Sequence, residues 1–436
     1  VSIFNEAGYK RRKSAPPMNA QGYTIQHFDL SQNEQSFQTK GAQYWVFWYK
    51  SIPLGEKYIE SSDGWTDEKF YNLCAAVIRP TLKDYHAQNS STVLDKIEPS
   101  LQAIQLACNN VLQSYLPERL PSSCDVSVVI CTRNRAQQLQ QCLERLQQQV
   151  CKPAEIIVVD NASATDDTRK VTEAFAGVRY VREDIPGLDY ARNRGALEAK
   201  TDLIAYTDDD TIPNPYWVFR VYETFRDPSI AAMTGLVIAA SLKTEAEIIF
   251  EKYWPFNRGY LTKLYDYHFF SANLKTGPPV WEIGAGANMA FRKDIFEEVG
   301  YFDERLDVGA AGCSGDSEQW YRILANGFNI VYNPLAVVEH AHRHSIKDLK
   351  KQLYGYMRGF TVAILIQYQT FGHVGNLRHL IKVFPFYYLT LLGKGFPFYN
   401  AQYRTILSEM SGVISGLFYY WKHRDSRSKN ILRWNQ

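Results

Sequence analysis

A chain of 436 residues is too long for one simple domain, and its make-up, 45% hydrophobic and 22% charged, is that of a globular protein. A formal net charge of +2 argues against a dedicated nucleic-acid binder, which usually shows a basic domain or stripe, so no nucleic-acid partner is expected. Seven cysteines, an odd number with no CxxC pair, read as reduced, partly buried thiols of a cytosolic protein.

Residues 1–120 read as a small N-terminal α+β module. Residues 1–22 are polar and read as loose, with no apolar signal core after the basic run Tyr9–Lys13. Tyr44–Tyr49 is aromatic and β-prone, closed by Pro53 and Gly55. From Pro99, placed in a first turn, Leu101, Ile104, Cys108, Val111, Leu112 and Tyr115 share one helical face. Pro117 and Pro121 end that helix and make a linker.

A second region, 121–345, begins at the nearly all-apolar run Asp125–Cys131, as expected of a strand covered on both faces. Thr132-Arg133-Asn134-Arg135 is a loop, and Leu139, Cys142, Leu143, Leu146 and Val150 then recur at helical spacing. A strand at Glu155–Val159 ends in Asp160, a helix spans about Asp166–Phe175, and a strand follows at Val178–Val181. Pro186-Gly187 turns into a helix through Ala191–Gly195, and Asp202–Tyr206 runs into Asp208-Asp209-Asp210. This alternation is the signature of a Rossmann-like α/β domain with a mostly parallel sheet. Ligands of such sheets lie beyond the carboxyl ends of the strands, where Thr132, Arg133, Asn134, Asp160 and the Asp triplet fall. Three adjacent carboxylates repel one another unless a cation or donors compensate.

The runs Val126–Arg135, Ile157–Asn161, Gly187–Gly195 and Thr207–Asp210 together resemble the nucleotide half of a bacterial-type family 2 glycosyltransferase with the GT-A fold. Gly284–Arg292 resembles that family's acceptor-side segment, Gly315–Arg322 its acidic "ED" helix, and Glu339–Arg343 its late His-containing segment. The resemblance covers roughly residues 124–345 and implies a nucleoside-diphosphate-sugar donor, UDP- or dTDP-type with GDP as the alternative. It also implies a polysaccharide, lipid-linked or other envelope glycan as acceptor, and Mn²⁺ or Mg²⁺ as cofactor.

The chemistry agrees with those residue types. A divalent cation on oxygen ligands stabilises a leaving diphosphate. Asp210 is expected as direct ligand, Asp208 as second ligand or water-mediated partner, and Asp209 as structural; the resemblance implies a ribose contact as the alternative for Asp208. The resemblance adds His340 as ligand with His342 as alternate, and imidazole suits Mn²⁺ better than Mg²⁺. It implies Asp160 against the nucleobase and Arg192 near the nucleotide, with Thr132, Arg133 and Asn134 on the donor wall. Asp316 is the expected base that takes the acceptor proton, and one base without an enzyme nucleophile gives inversion. Gly315 stands where the family carries Glu; Glu318 is the alternative base or a helix support. Gly286, Asn288 and Trp281 are expected on the acceptor side, Trp281 equally as core.

The third region, 346–436, reads as helical. Phe384–Leu392 and Val413–Trp421 are apolar but shorter than the ~20 residues of a spanning helix. With Lys422, Arg424, Arg427 and Lys429 nearby, they suggest either contact with the inner face of the cytoplasmic membrane by a peripheral, cytoplasmic protein or a helical subdomain packed on the catalytic core. A nucleotidyltransferase and a non-catalytic GT-A binding protein are the competing readings. The first would release pyrophosphate; Gly315 keeps the second open.

Overall fold

The computed structural model describes residues 22–33, 35, 41–60, 64–87 and 97–426. The expectation of a loose segment at 1–22 falls, but for Gly22, outside the described residues, as do Arg427 and Lys429.

The N-terminal module is a sheet of β1 (Thr24–Asp29), β2 (Gln43–Tyr49) and β3 (Ile52–Ile59), covered by α1 (Asp67–Ala87) and α2 (Leu101–Leu112). Pro53 and Gly55 do not close the aromatic strand; they lie inside β3, after a turn at Lys50. Gly55 is where α1 comes closest: a Cβ there would lie 2.6 Å from a Val77 methyl. The helix α1 was not legible in the sequence, and Ser100 rather than Pro99 opens α2, its hydroxyl accepting the Ala103 N–H.

The larger unit follows in chain order. Its first half runs β4 (Ser123–Thr132), α3 (Ala136–Leu146), β5 (Lys152–Asn161), α4 (Asp167–Glu173), β6 (Val178–Glu183), α5 (Leu188–Glu198) and β7 (Leu203–Asp208). Its second half runs β8 (Thr211–Pro213), α6 (Trp217–Thr224), β9 (Ile230–Ala239), α7 (Glu245–Tyr253), β10 (Lys263–Tyr265), α8 (Tyr267–Ala272), β11 (Asn288–Arg292), α9 (Ile295–Val299), α10 (Gly315–Ala325) and β12 (Asn329–His340). The sheet order is β10-β12-β9-β11-β7-β4-β5-β6, with β8 on β12. The β6-β5-β4-β7 half is wholly parallel, and β11 runs antiparallel between β7 and β9. This is the α/β class expected. Register does the positioning: Thr132 pairs with Asp160 and Cys131 with Asp208, so three strand ends deliver polar residues to one rim.

Cys124 and Cys151 form a disulfide, which corrects the reading of all seven cysteines as reduced thiols. The helix α3 stops at Leu146, earlier than Val150, and the return into β5 pairs Ser123 with Lys152. That pairing brings together two cysteines 27 residues apart. Cys74, Cys108, Cys131, Cys142 and Cys313 are free.

The chain then forms α11 (Ile346–Phe371), α12 (Phe384–Gly395) and α13 (Ile406–His423). Gly412 and Gly416 seat α13 on α11: Cβ atoms there would lie 2.4 Å from the Tyr354 carbonyl and 2.7 Å from that of Arg358. Among the described residues no helix is long and apolar enough to cross a membrane.

Candidate active site

The strand β7 carries Asp208 to its last position, and the chain turns through Asp209 and Asp210 into β8. Pairing of Thr211 with His340 at the end of β12 lays that imidazole over both carboxylates. His340 Nε2 lies 3.3 Å from Asp210 and 3.8 Å from Asp208. One ligand atom from each of the three residues falls within 4.8 Å of the others, a group that can hold a metal ion. Two carboxylate oxygens and one imidazole nitrogen fit Mn²⁺ or Mg²⁺, leaving positions for phosphate oxygens or water. Burial pulls the His340 pKa down, but Asp210 and Asp208 overcome it and the net direction is upward. Burial pushes the Asp210 pKa up, yet His340 and Arg135 bring it below the usual carboxylate value.

Asp209 points the other way, as expected. It accepts the Thr132 hydroxyl at 2.7 Å and Arg135 Nη1 at 2.5 Å, while Arg135 Nη2 reaches Asp210 at 2.7 Å. Burial, then the neighbouring Asp210, pushes the Asp209 carboxyl up to about 7. Arg135 is the member of this cluster that sequence reasoning missed; a cation three residues past the β4 end was its only signal.

The donor-wall residues are more engaged with one another than the sequence suggests. The Thr132 hydroxyl is committed to Asp209. Asp160 is fully buried, accepting the Ser163 N–H, the Tyr180 hydroxyl at 2.7 Å and Arg182 Nη1 at 3.0 Å. Two donors fill Oδ2 and one reaches Oδ1, and the residue has no exposed surface. Asn134, in the left-handed region at φ 56°, ties two loops: its N–H donates to Ser163 and its Oδ1 accepts the Ala164 N–H. Arg133 is exposed on the rim.

The second end of the site surrounds Arg192. This guanidinium is buried, and its Nη1 donates to Asp189 at 2.9 Å and Asp307 at 2.5 Å. It therefore lies beneath the site rather than on a nucleotide-facing surface, within the fields of both Asp316 and Asp208. Asp316 sits in the first turn of α10, whose cap is Ser314. Its Oδ2 accepts the Gly286 N–H at 2.8 Å, and its Oδ1 accepts the Ser317 N–H at 2.6 Å. Burial, then Asp307, raises its pKa against the opposing pull of Arg192 and the two N–H groups. Gly286 must be glycine here: a Cβ would lie 2.7 Å from Arg192 Nη2 and 3.0 Å from Asp316 Oδ2.

Gly315 also has a physical cause. A Cβ at that position would lie 2.2 Å from Asp189 Oδ2 and 2.6 Å from Asp307 Oδ2. Carboxylates from two other segments fill the space a side chain would use. Neither Asp189 nor Asp307 was singled out from the sequence, because they meet only when the loop before α10 folds onto α5.

The other acceptor-side expectations resolve into supports. Asn288 is a buried cross-link, its Oδ1 accepting Trp217 Nε1 and its Nδ2 donating to the Leu236 and Ala336 carbonyls. Trp281 is core, packed on Phe360 at 5.0 Å and His379 at 5.4 Å. Glu318 is fully buried and accepts Arg322 Nε at both oxygens, so it supports α10 rather than standing open as a base. His342 is outside the ligand triad: its Nε2 pairs with Glu251 at 3.2 Å, and its ring stands 5.7 Å from that of His340.

A parallel half-sheet joined to an antiparallel one, with Asp208, Asp210 and His340 grouped at one rim, is the α/β arrangement that the resemblance to a GT-A domain predicts. Residues 127–300 match the family model "Glycosyl transferase family 2". A pre-mycofactocin glycosyltransferase of Mycobacterium tuberculosis is 27% identical over 265 residues, 59% of this chain and 52% of that protein. A glucosyl-dolichyl phosphate glucuronosyltransferase of Haloferax volcanii is 26% identical over 228 residues, 49% of this chain and 68% of that protein. The chain thus spans about half the length of the first of these relatives. Among solved structures, a Pyrobaculum calidifontis mannosyltransferase in complex with GDP-Man and Mn²⁺ superposes with a TM-score of 0.46 at 16% identity, over 72% of this chain and 94% of that one.

Proposed function

We propose that the chain is an inverting, metal-dependent glycosyltransferase that moves a sugar from a nucleoside-diphosphate donor to an acceptor hydroxyl. The observation that carries this reading is the convergence of Asp208, Asp210 and His340 on one point at the rim of the sheet. These three residues would hold Mn²⁺ or Mg²⁺, which supplies positive charge to a departing diphosphate. Arg135 keeps the turn in place by spanning Asp209 and Asp210. Asp316 removes the acceptor proton; two backbone N–H groups fix its orientation, and its raised pKa strengthens it as a base. With one base and no enzyme nucleophile, the displacement inverts the anomeric centre.

The proposed donor is a UDP- or dTDP-sugar, with GDP-sugars as the alternative. The acceptor is a glycan or a lipid-linked sugar, in keeping with the dolichyl phosphate in the name of the Haloferax relative. Residues 1–120, 121–345 and 346–436 are proposed as three regions, with the protein placed peripherally on the inner face of the cytoplasmic membrane.

The test is a thermal-shift screen of nucleoside diphosphates with and without Mn²⁺. A ligand at ~100 times its Kd adds about 2.7 kcal/mol of stability. The wild type should therefore gain several degrees with the cognate diphosphate and Mn²⁺ together, and Asp210→Asn should gain none from the metal. An equal metal-dependent shift in Asp210→Asn would remove Asp210 from the ligand set. Release of pyrophosphate instead of nucleoside diphosphate from a donor panel would overturn the transferase reading in favour of nucleotidyl transfer.

A further inference from the structure

The outer faces of α12 and α13 remain unexplained by the site. On α13, Leu407, Ile414, Phe418 and Trp421 are spaced 7, 4 and 3 apart, which places them on one helical face. Phe418 is 71% and Trp421 73% exposed. The helix cannot roll to bury them, because Gly412 and Gly416 on its opposite face already touch the α11 backbone. On α12, Phe386 and Leu389 point outward in the same way, while Tyr388 between them turns inward to donate to Glu409 of α13. The connection between the two helices presents Phe396 at 74% and Phe398 at 80% exposure.

We propose that this face is a docking surface for an anionic lipid bilayer, with α12 and α13 lying in the interface plane. Two observations favour a bilayer over a protein partner. The apolar side chains protrude rather than line a groove, which suits a soft phase that needs no matching shape. The charge around them is mostly positive, although Arg424 is paired with the exposed Asp425. Between residues 372 and 426 the chain carries Arg378, Lys382, Lys394, Arg404, Lys422 and Arg424, against two acidic residues, Glu409 and Asp425. Arg404 is paired with Glu245, and Glu409 is buried on the inner face beneath Tyr388 and Thr405. What faces outward is therefore apolar with a basic border, the complement of anionic headgroups. At a bilayer the stripe would lie in the surface plane, since neither helix is long and apolar enough to span.

This deepens the membrane-side placement proposed above, but vesicle binding is measured without donor or turnover, so its failure and that of the transferase reading are separable. The full chain is sedimented with phosphatidylcholine vesicles, with and without phosphatidylglycerol. Binding is expected to the phosphatidylglycerol vesicles and to weaken as salt is raised. Phe418→Glu with Trp421→Glu should lower the partition coefficient about tenfold or more, since two large apolar groups leave the interface. Thermal unfolding of that variant should match the wild type, because both side chains are exposed. Three outcomes overturn the proposal. They are no sedimentation of the wild type with anionic vesicles, equal binding by the double variant, and a wild-type dimer in vesicle-free buffer that the double variant abolishes, which would assign the face to a second copy.

Discussion

Asp316→Asn is expected to lower kcat by about 10³-fold while the donor and metal still bind, because the substitution removes only the group proposed to take the acceptor proton. The amide keeps the shape of the carboxyl, and its oxygen can still accept the Gly286 N–H that holds Oδ2 in the wild type. Folding should not suffer. The Asp316 pKa is raised by burial and by Asp307, so the ionised form is disfavoured in the folded protein. A carboxyl whose folded pKa is raised contributes stability below its unfolded pKa and loses it as pH rises through the folded one. At neutral pH Asp316→Asn should therefore unfold at or slightly above the wild-type temperature. The same shift sets the acid limb of activity: kcat/KM should fall as pH drops through a value above the ordinary carboxylate range, since the base must be ionised to act. Steady-state kinetics with the thermal melt distinguishes these effects, and wild-type turnover in the variant would remove Asp316 from the reaction.

Arg192→Met carries the largest expected loss of stability. Its guanidinium serves Asp189 and Asp307, both buried, and lies in the field of Asp316. Removing one partner of a buried ion pair costs about 3–5 kcal/mol, because the remaining charge is left uncompensated. Asp189 already has a pKa well above normal through burial and the adjacent Asp307. Without Arg192 the Asp189 carboxyl takes up its proton more readily, so the deficit should shrink as pH falls. Adding Asp189→Asn and Asp307→Asn to Arg192→Met should recover part of the loss in urea denaturation. A single variant within about 1 kcal/mol of wild type would show that the cluster is not a charge-balanced unit.

The same cluster explains a feature that the sequence raised and left open. Gly315 departs from the acidic pair of the motif it resembles, and it kept a non-catalytic reading open. In the fold, Asp189 and Asp307 occupy the volume where a side chain at 315 would begin, so glycine there is a packing requirement beside an intact Asp316. The departure does not argue against catalysis.

How much was legible follows from the range of each signal. The strands β4, β5 and β7 were visible because wholly buried parallel strands are unbroken apolar runs. The polar residues closing them sit at one rim because parallel strands in register end together. That much puts Asp160, Asp208 and Asp210 at one rim of the sheet. The helix α1 was missed since it mixes charged residues through its length and carries Pro80 inside it. The Cys124–Cys151 bond was missed because its partners meet through β-pairing, which spacing does not encode.

By itself, then, the sequence determined the α/β alternation, the strand-end acids and the motif order, all of which are local patterns read within one strand or helix. The tertiary structure alone decided which polar side chains face the site and which hold it up. It turned Glu318, Asn288, His342 and Trp281 inward to serve as supports. It also recruited Arg135, Asp189 and Asp307, which no motif marked. The physical reason is that a buried charge must find its partner in space, and those partners come from segments up to 115 residues apart in the chain.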